Sequence, residues 1–520
     1  MRIGTFRHCS LSIGLAALTS LINSGLFSAK GGEDSVFAQS SGATLPAYPL
    51  KLSANHRYLV DQHNKPFLIV GDSPQGLICR LSEADAEKYF ADRQAHGFNT
   101  AGWMDAACAG SDFPDNKTGG TYDGIVPFTG FVAGGMDYTH YDLTKPNEAY
   151  FARLDHMVKI AAKHGILVFI DPAETNGWLQ ALRNNGLAAA YSYGQYLGRR
   201  YKRYPNVAWI SGNDFNKWRV PSDDALVQAV AKGIQSVAPE QLQSVEINFN
   251  TSSSLDDPSW ASILSLNGTY TYSATYIQML HSYNQTPVMP TYLVEAHYEL
   301  ENIGSPPDGG TPEVLRRQEY WTMLSGGVGQ FYGNHYTSSF PPGWGSHIDT
   351  LGVSQLTIWK DFLSSLAWQD LIPDQNHTVL TAGFGTFGND EILFDSRTLA
   401  TRMTPSVSQS DYATATRTTD GSYVVVYMPT ARPVTVNLNS LKGPATAKWF
   451  DPTNGTYYAI PGGPFPNSGS RQFTPPANNY AGESDWVLLL NASKPALRKW
   501  WRFWRILLCR AHDPTGDYSP

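Results

Sequence analysis

From about Leu52 to Asp370, short apolar runs alternate with amphipathic stretches. Phe67-Leu-Ile-Val-Gly71 has the length and continuity of a parallel strand buried on both faces. Ser82 then offers an N-cap to a helix over Glu83 to His96, and Gly97 supplies its stop. Asp85 stands where a capping box usually carries Glu or Gln, so that box is imperfect. The unit recurs along the chain. Further strands are predicted at Asn99 to Met104, Ile166 to Ile170, Val207 to Ile210, Ser244 to Ile247, Ile263 to Leu266, Thr291 to Val294 and Gly329 to Tyr332. Helices are predicted at Asn147 to His164, Ala188 to Tyr204, Asp223 to Val237, Ala274 to Tyr283, Pro312 to Leu324 and Val353 to Leu366. A Gly-rich insertion, Ala106 to Thr144, separates the second strand from its helix. Eight such units predict an α/β fold, a (β/α)8 TIM barrel over residues 50–374. An open doubly wound sheet would carry a Gly-rich phosphate turn after its first strand, and Gly71-Asp72-Ser73-Pro74 has an acid and a proline there.

Past Pro373 the helical period disappears. Alternating strand patterns at Gly421 to Met428, Val434 to Leu438, Ala445 to Phe450 and Ser484 to Leu490, separated by turns such as Asp451-Pro-Thr-Asn454-Gly455, predict a small all-β sandwich over 376–492. Residues 493–520 form a basic, aromatic tail that reads as an interfacial helix, as a terminal helix packed on the sandwich, or as an irregular chain end. At the other end, Arg2 and Arg7 precede an apolar run from Leu11 to Phe27, and Ala38 follows a small-x-small pattern. Residues 1–38 therefore read as an export signal, which makes the expected location secreted or periplasmic. The run is broken by Thr19, Ser20, Asn23 and Ser24, so no stable membrane span is expected. In an oxidising compartment Cys79 and Cys108 could pair or stay as two separate thiols.

Composition narrows the partners. Only 16% of the 520 residues are charged and the net charge is −7, which argues against a nucleic-acid partner. Aromatic residues make up 12%, suited either to a core or to flat apolar sugar faces. Trp103, Trp178, Trp218, Trp344 and Tyr298 fall at or near predicted strand ends, where stacking on a ligand would be useful.

The reactive face of such a barrel is the carboxyl end of its strands. Strand one ends at Asp72, strand three at Asp171, strand four at Asn213-Asp214 and strand seven at Glu295; Asn334 and His335 follow strand eight. Converging acids are what glycoside hydrolysis requires: one protonated to serve the leaving oxygen, one ionised to attack or to activate water. Asp214 and Glu295 are the expected catalytic pair. Asp72, Asn213, Trp103, Asp171, Tyr298, Asn334 and His335 are the expected substrate-binding residues, with helix capping as the alternative for the strand-end acids. There is no HExxH, no GxSxG elbow and no P-loop, and the 13 His residues show no ligand spacing, so neither metal nor cofactor is expected.

Several stretches together resemble the apiosidase-like family, glycoside hydrolase family 140 and its secreted bacterial relatives. They are Ser53-Ala-Asn-His-Arg57-Tyr58-Leu59-Val60-Asp61, Lys65-Pro66-Phe67 through Ser73, Tyr89-Phe90 with Arg93, Gly97-Phe98-Asn99, Trp209-Ile-Ser-Gly-Asn-Asp214, Val294-Glu295 with Tyr298-Glu299, Tyr332-Gly333, and Trp368 to Asp374. The resemblance implies a retaining barrel glycosidase with Asp214 as acid/base and Glu295 as nucleophile. The family often has Gly-Gly-Asp where this chain has Gly212-Asn213-Asp214, and an aromatic soon after the first-strand Asp, where this chain has Pro74-Gln75-Gly76-Leu77. Val426 to Thr430, Ala447 to Pro452 and Asp485 to Leu488 look like a collagen-binding domain family that commonly follows such barrels. The expected partner is an oligo- or polysaccharide cut by endo or exo action. A barrel that binds sugar without cleaving it is the rival reading, and the oligomeric state is left open.

Overall fold

The computed structural model describes residues 45–110, 113–248, 251–304, 308–388 and 406–492. The expected export signal and the basic aromatic tail lie outside the described residues. Eight parallel strands form the barrel: β1 (Ile69–Asp72), β2 (Thr100–Asp105), β3 (Leu167–Asp171), β4 (Val207–Ser211), β5 (Gln243–Val245), β6 (Asn267–Thr271), β7 (Thr291–Glu295) and β8 (Gly329–Tyr332). The ladder runs β5-β4-β3-β2-β1-β8-β7-β6, and a short strand, Thr251–Ser253, pairs antiparallel with β6. Between β5 and β6 no strand ladder forms among the described residues. There Ser265 N donates to Gln243 O (2.8 Å), and Gly268 N donates to Ser254 Oγ (2.8 Å), which itself donates to Val245 O.

The lumen is filled with side chains. Phe331 on β8 packs 4.9 Å from Tyr292 on β7 and 5.3 Å from Phe169 on β3, measured between ring centroids. Gly71 and Gly102 make room for it, since a Cβ at either would lie 2.5 or 2.3 Å from that ring. Trp103 is fully buried and its indole reaches across the lumen to Val294 O (3.3 Å).

Seven longer helices surround the strands: α1 (Glu83–Ala95), α2 (Glu148–Lys163), α3 (Thr175–Tyr201), α4 (Pro221–Gln235), α5 (Thr275–Asn284), α6 (Pro312–Leu324) and α7 (Leu351–Ser364). Ser82 caps α1 by accepting from Asp85 N, and Asn147 caps α2 by accepting from Ala149 N. Two expectations are corrected. Strand six is Asn267–Thr271, not Ile263 to Leu266; the apolar residues form the buried approach, and the polar run that follows makes the ladder. Helix three, expected from Ala188, follows a break at Gly186 (φ 77°), and a further helical stretch from Thr175, not foreseen, precedes that break.

The C-terminal module has two sheets. β9 (Leu371–Pro373), β11 (Thr414–Thr418), β12 (Tyr423–Met428), β17 (Trp486–Ala492), β14 (Ala445–Phe450) and β15 (Tyr457–Ala459) form one in that spatial order; β10 (Leu380–Ala382), β13 (Val434–Asn437) and β16 (Ser470–Phe473) form the other. β9 lies within the span read from sequence as barrel, yet it pairs with β11 of the sandwich. One face of β12 and β17, with Val424, Val426, Leu488 and Leu490, makes the sandwich core. The other face, with Val425, Tyr427, Val487 and Leu489, joins the barrel's core. Burial on both sides explains why these strands read as continuous apolar runs. On the barrel side α6 makes the joint. Arg316 donates from Nε to Asp485 Oδ2 (3.1 Å) and from Nη2 to Asp485 Oδ1 (3.0 Å), and Trp321 Nε1 donates to Tyr412 O (2.9 Å).

Candidate active site

The carboxyl ends of β4, β5, β6 and β7 meet around one phenol. Beyond β4, Gly212 (φ 113°), Asn213 (φ 60°) and Asp214 (φ 51°) are consecutive residues in the left-handed region. Two of them are not glycine, so the turn stores strain that its surroundings must hold. Gly212 is required sterically, since a Cβ there would lie 1.9 Å from Glu246 O. Thr175 at the start of α3 clamps the turn from the other side, its N–H donating to Gly212 O and its hydroxyl to Asn213 O, both at 2.8 Å. The amide of Asp214 donates to Glu246 Oε1 (2.9 Å). The Asp214 carboxyl is half-buried and turns toward β6 and β7.

Glu295 ends β7 and is 8% exposed. Tyr270 on β6 places its hydroxyl 2.8 Å from Asp214 Oδ1 and 3.1 Å from Glu295 Oε1. Those two distances, on either side of one oxygen, hold the carboxylate oxygens no more than about 5.9 Å apart. Tyr272 donates to the same Glu295 oxygen (3.3 Å), Tyr298 donates to Oε2 (3.1 Å), and Gln75 Nε2 donates to the Tyr298 hydroxyl (3.3 Å). A phenol has one proton, so Tyr270 serves both acids only if a carboxyl proton is shared across the pair.

Burial and carboxylate neighbours control the electrostatics. Burial pushes Glu295 well above the usual carboxylate range, repulsion from Asp214 adds to this, and the Tyr298 and Tyr270 hydrogen bonds oppose it. Glu246, also buried, is pushed well above that range by burial and then by Glu295 and Asp214. Asp171 at the end of β3 is pushed up to about 8 by burial, against one hydrogen bond from Ala173 N. The cluster therefore retains protons at pH values where isolated carboxyls have lost them, and it titrates as a group.

The residues expected from sequence divide accordingly. Asp214, Glu295, Asn213 and Tyr298 come together. Asn213 is buried beside Asp214, and its Nδ2 has no hydrogen-bond partner among the described residues. Asp171 lies in the same field, with Oδ2 unpartnered among the described residues. Three expectations do not fit the geometry. Asp72 is a buried ion pair: Oδ2 takes Arg93 Nε (2.5 Å) and the Tyr89 hydroxyl (2.7 Å), while Oδ1 takes Ser73 N (2.8 Å). Asn334 is fully buried and caps the short helix His335–Ser339, its Oδ1 accepting from Tyr336 N (2.8 Å). Trp103 fills the lumen and offers no face to a ligand. His335 is exposed beside Tyr336. Of the stacking candidates, Trp178 is also core, stacked on Tyr141 and bonded to Ala107 O.

Sequence reasoning missed Glu246, Tyr270, Tyr272 and Gln75. Glu246 falls inside the run read as strand five, and the two tyrosines fall just past the misplaced strand six. The signal that would have found them is the barrel's own rule, applied after moving strand six onto Asn267–Thr271.

Among the described residues, one group could share a cation: Asp92, His96 and Asp349, whose ligand atoms lie within 4.8 Å of one another. It sits at the end of α1, where His96 Nε2 already meets Asp349 at 3.1 Å. Cys79 and Cys108 are joined in a disulfide, which pins the short helix Leu77–Arg80 to the loop after β2. Among the described residues, no helix is long and apolar enough to cross a membrane.

A (β/α)8 barrel with paired acids at the ends of β4 and β7 has the architecture of a glycosidase. Comparison with known proteins agrees. Residues 53–370 match the model of the apiosidase-like catalytic domain, well over half of the chain, and the protein belongs to that family of glycosidases. Residues 402–491 match a domain described as "Putative collagen-binding domain of a collagenase". No curated protein matches the chain. Among solved structures, one described as a glycoside hydrolase superposes with a TM-score of 0.70 at 20% identity, covering 86% of this chain and 98% of its own. A glycoside hydrolase family 5 protein from Bacteroides vulgatus gives 0.69 at 20% identity, covering 87% and 95%.

Proposed function

We propose that the protein is a secreted, retaining glycosidase that cleaves glycosidic bonds in plant or microbial oligo- or polysaccharides. The observation that carries this reading is the Tyr270 bridge. It keeps the acid oxygens of Asp214 and Glu295 within about 5.9 Å, which suits the ~5–5.5 Å of retention and falls short of the ~6.5–9.5 Å that inversion needs for its water. In the first step a Glu295 oxygen attacks the anomeric carbon. The bond to the leaving oxygen breaks, and that oxygen takes the proton from Asp214. In the second, Asp214 removes a proton from water as the water oxygen displaces Glu295 from the sugar, returning both side chains to their starting states. The buried amide of Asn213 beside the acid, unpartnered among the described residues, supports its reading as a donor to a sugar hydroxyl. Secretion is supported by the Cys79–Cys108 disulfide, which suits an oxidising compartment.

The test is a screen of pectic and arabinogalactan oligosaccharides for new reducing ends, repeated in buffer containing methanol. Retention predicts a methyl glycoside with the substrate's anomeric configuration. An inverted product would overturn the mechanism, and saccharide binding with no cleavage across the panel would favour the non-catalytic reading.

A further inference from the structure

Glu246 is buried, lies at the end of β5 and forms neither half of the Asp214–Glu295 pair. We propose that it is a positioning residue for the acid/base, holding the strained turn Gly212–Asp214 from the neighbouring strand and thereby fixing where the Asp214 carboxyl points. The inference rests on the reading of Asp214 as acid/base. Four observations carry it.

The Glu246 side chain accepts the amide hydrogen of Asp214 itself (2.9 Å). Its backbone N–H donates to Ser211 O (2.8 Å), so one residue grips the chain on both sides of the turn. Its carbonyl lies so close to Gly212 that no side chain fits there. Asn213 and Asp214, left-handed and not glycine, would relax toward ordinary backbone without such a restraint.

The fourth observation is chemical. The other oxygen, Oε2, is buried with no hydrogen-bond partner among the described residues. The groups facing it are Asp171 from β3, Asp214 beyond β4, Tyr270 from β6, Tyr292 and Glu295 from β7, and Tyr298 beyond β7. Burial and repulsion from Glu295 and Asp214 push Glu246 well above the usual carboxylate range, so it holds the turn as a neutral acid and sets no further charge beside the pair.

Two variants of the full chain separate the effects. Glu246→Gln keeps an oxygen for the Asp214 amide; Glu246→Ala removes it. The first readout needs no turnover: the Asp214 amide resonance in protein labelled with [15N]aspartate. It should move upfield in Glu246→Ala and stay near the parent position in Glu246→Gln. An unmoved resonance in Glu246→Ala overturns the proposal. The second uses aryl apiofuranosides. Glu246→Ala should lose about 100-fold in kcat/KM on the 4-methoxyphenyl compound, whose departure needs a well-placed acid. On the 2,4-dinitrophenyl compound it should keep the parent value within about threefold, because that group leaves unaided. In Glu246→Gln the 4-methoxyphenyl activity should return, with the alkaline limb of kcat/KM where the parent has it. Equal losses on both compounds would make Glu246 merely structural. Failure of the acid/base reading looks different: Asp214→Ala would then show no leaving-group dependence, whatever the Asp214 amide reports.

Discussion

Asp72 and Glu295 hold equivalent places, the last residues of β1 and β7, and both are buried at one end of the same barrel. Around Asp72 every oxygen is answered, and Arg93, itself 1% exposed, cancels its charge. Around Glu295 the nearest groups are three phenols and other acids. The first arrangement makes a carboxylate inert and structural. The second raises a carboxyl well above the usual carboxylate range, the kind of shifted group from which acid–base and nucleophilic chemistry is built. The presence or absence of a buried cation separates the two, and position on a strand does not.

The largest expected effect breaks this comparison directly. Glu295→Gln should lower turnover on a cleaved oligosaccharide by about 10⁴-fold or more, with a thermal midpoint at or above the parent's, since it removes a charge held among like charges. Asp72→Asn should do the reverse. It leaves Arg93 buried with only the partly exposed Asp92 (2.7 Å) as counter-ion, a loss of about 3 kcal/mol, while the activity of the folded fraction at low temperature stays near the parent's. If Asp72→Asn abolished turnover at unchanged stability, Asp72 would belong to the site after all.

A pH experiment sharpens the contrast at intermediate size. Asp171 is pushed up from 3.8 to about 8 by burial. A group whose folded value is raised favours folding below its unfolded value, and that advantage disappears as pH climbs through the folded one. The window runs from about pH 4 to about pH 8. Asp171→Asn cannot ionise. Its unfolding free energy should match the parent's near pH 4 and exceed it by a few kcal/mol at pH 8, as measured by chemical denaturation across that range. Parallel curves for the two proteins would show that Asp171 is ionised in the fold.

What was legible in the sequence follows from the same physics. The apolar runs at β1, β3, β4 and β7 are strands that exclude water on both faces, so composition marks them. β6 reads Asn267-Gly-Thr-Tyr-Thr271; its buried polar groups are answered by hydrogen bonds such as Thr269 to Ser282 (2.8 Å) and Asn267 Nδ2 to Ser282 O (3.1 Å). A hydropathy pattern registers transfer out of water and is blind to burial paid back by hydrogen bonding, so the strand was placed four residues early and Tyr270 was lost. The meeting of Asp214 and Glu295 was legible because barrel geometry puts strand-end acids on one face. Glu246 was not, because an acid within an alternating run reads as the solvent-facing half of a strand. Asp72 was misread because its partner, Arg93, reaches it from α1, a contact that exists only once the helix packs on the barrel.

The smallest expected effect is at Asn334, which the sequence placed beside the substrate and the fold turns into a cap. Its Oδ1 accepts from Tyr336 N and Thr337 N, and its Nδ2 donates to the Tyr332 hydroxyl at 3.2 Å and to Glu299 Oε2 at 3.5 Å. Glu299 does not depend on it, because the Thr350 hydroxyl, Gly352 N and the Tyr332 hydroxyl also donate to that carboxylate. Asn334→Ala therefore orphans two amides at the start of a five-residue helix and little else. The loss should be about 1 kcal/mol, the usual cost of removing an N-cap, and kcat/KM should stay within about twofold of the parent. A tenfold or greater fall in kcat/KM at nearly unchanged stability would put the Asn334 amide on the sugar and move β8 from the structural half of the comparison to the reactive one.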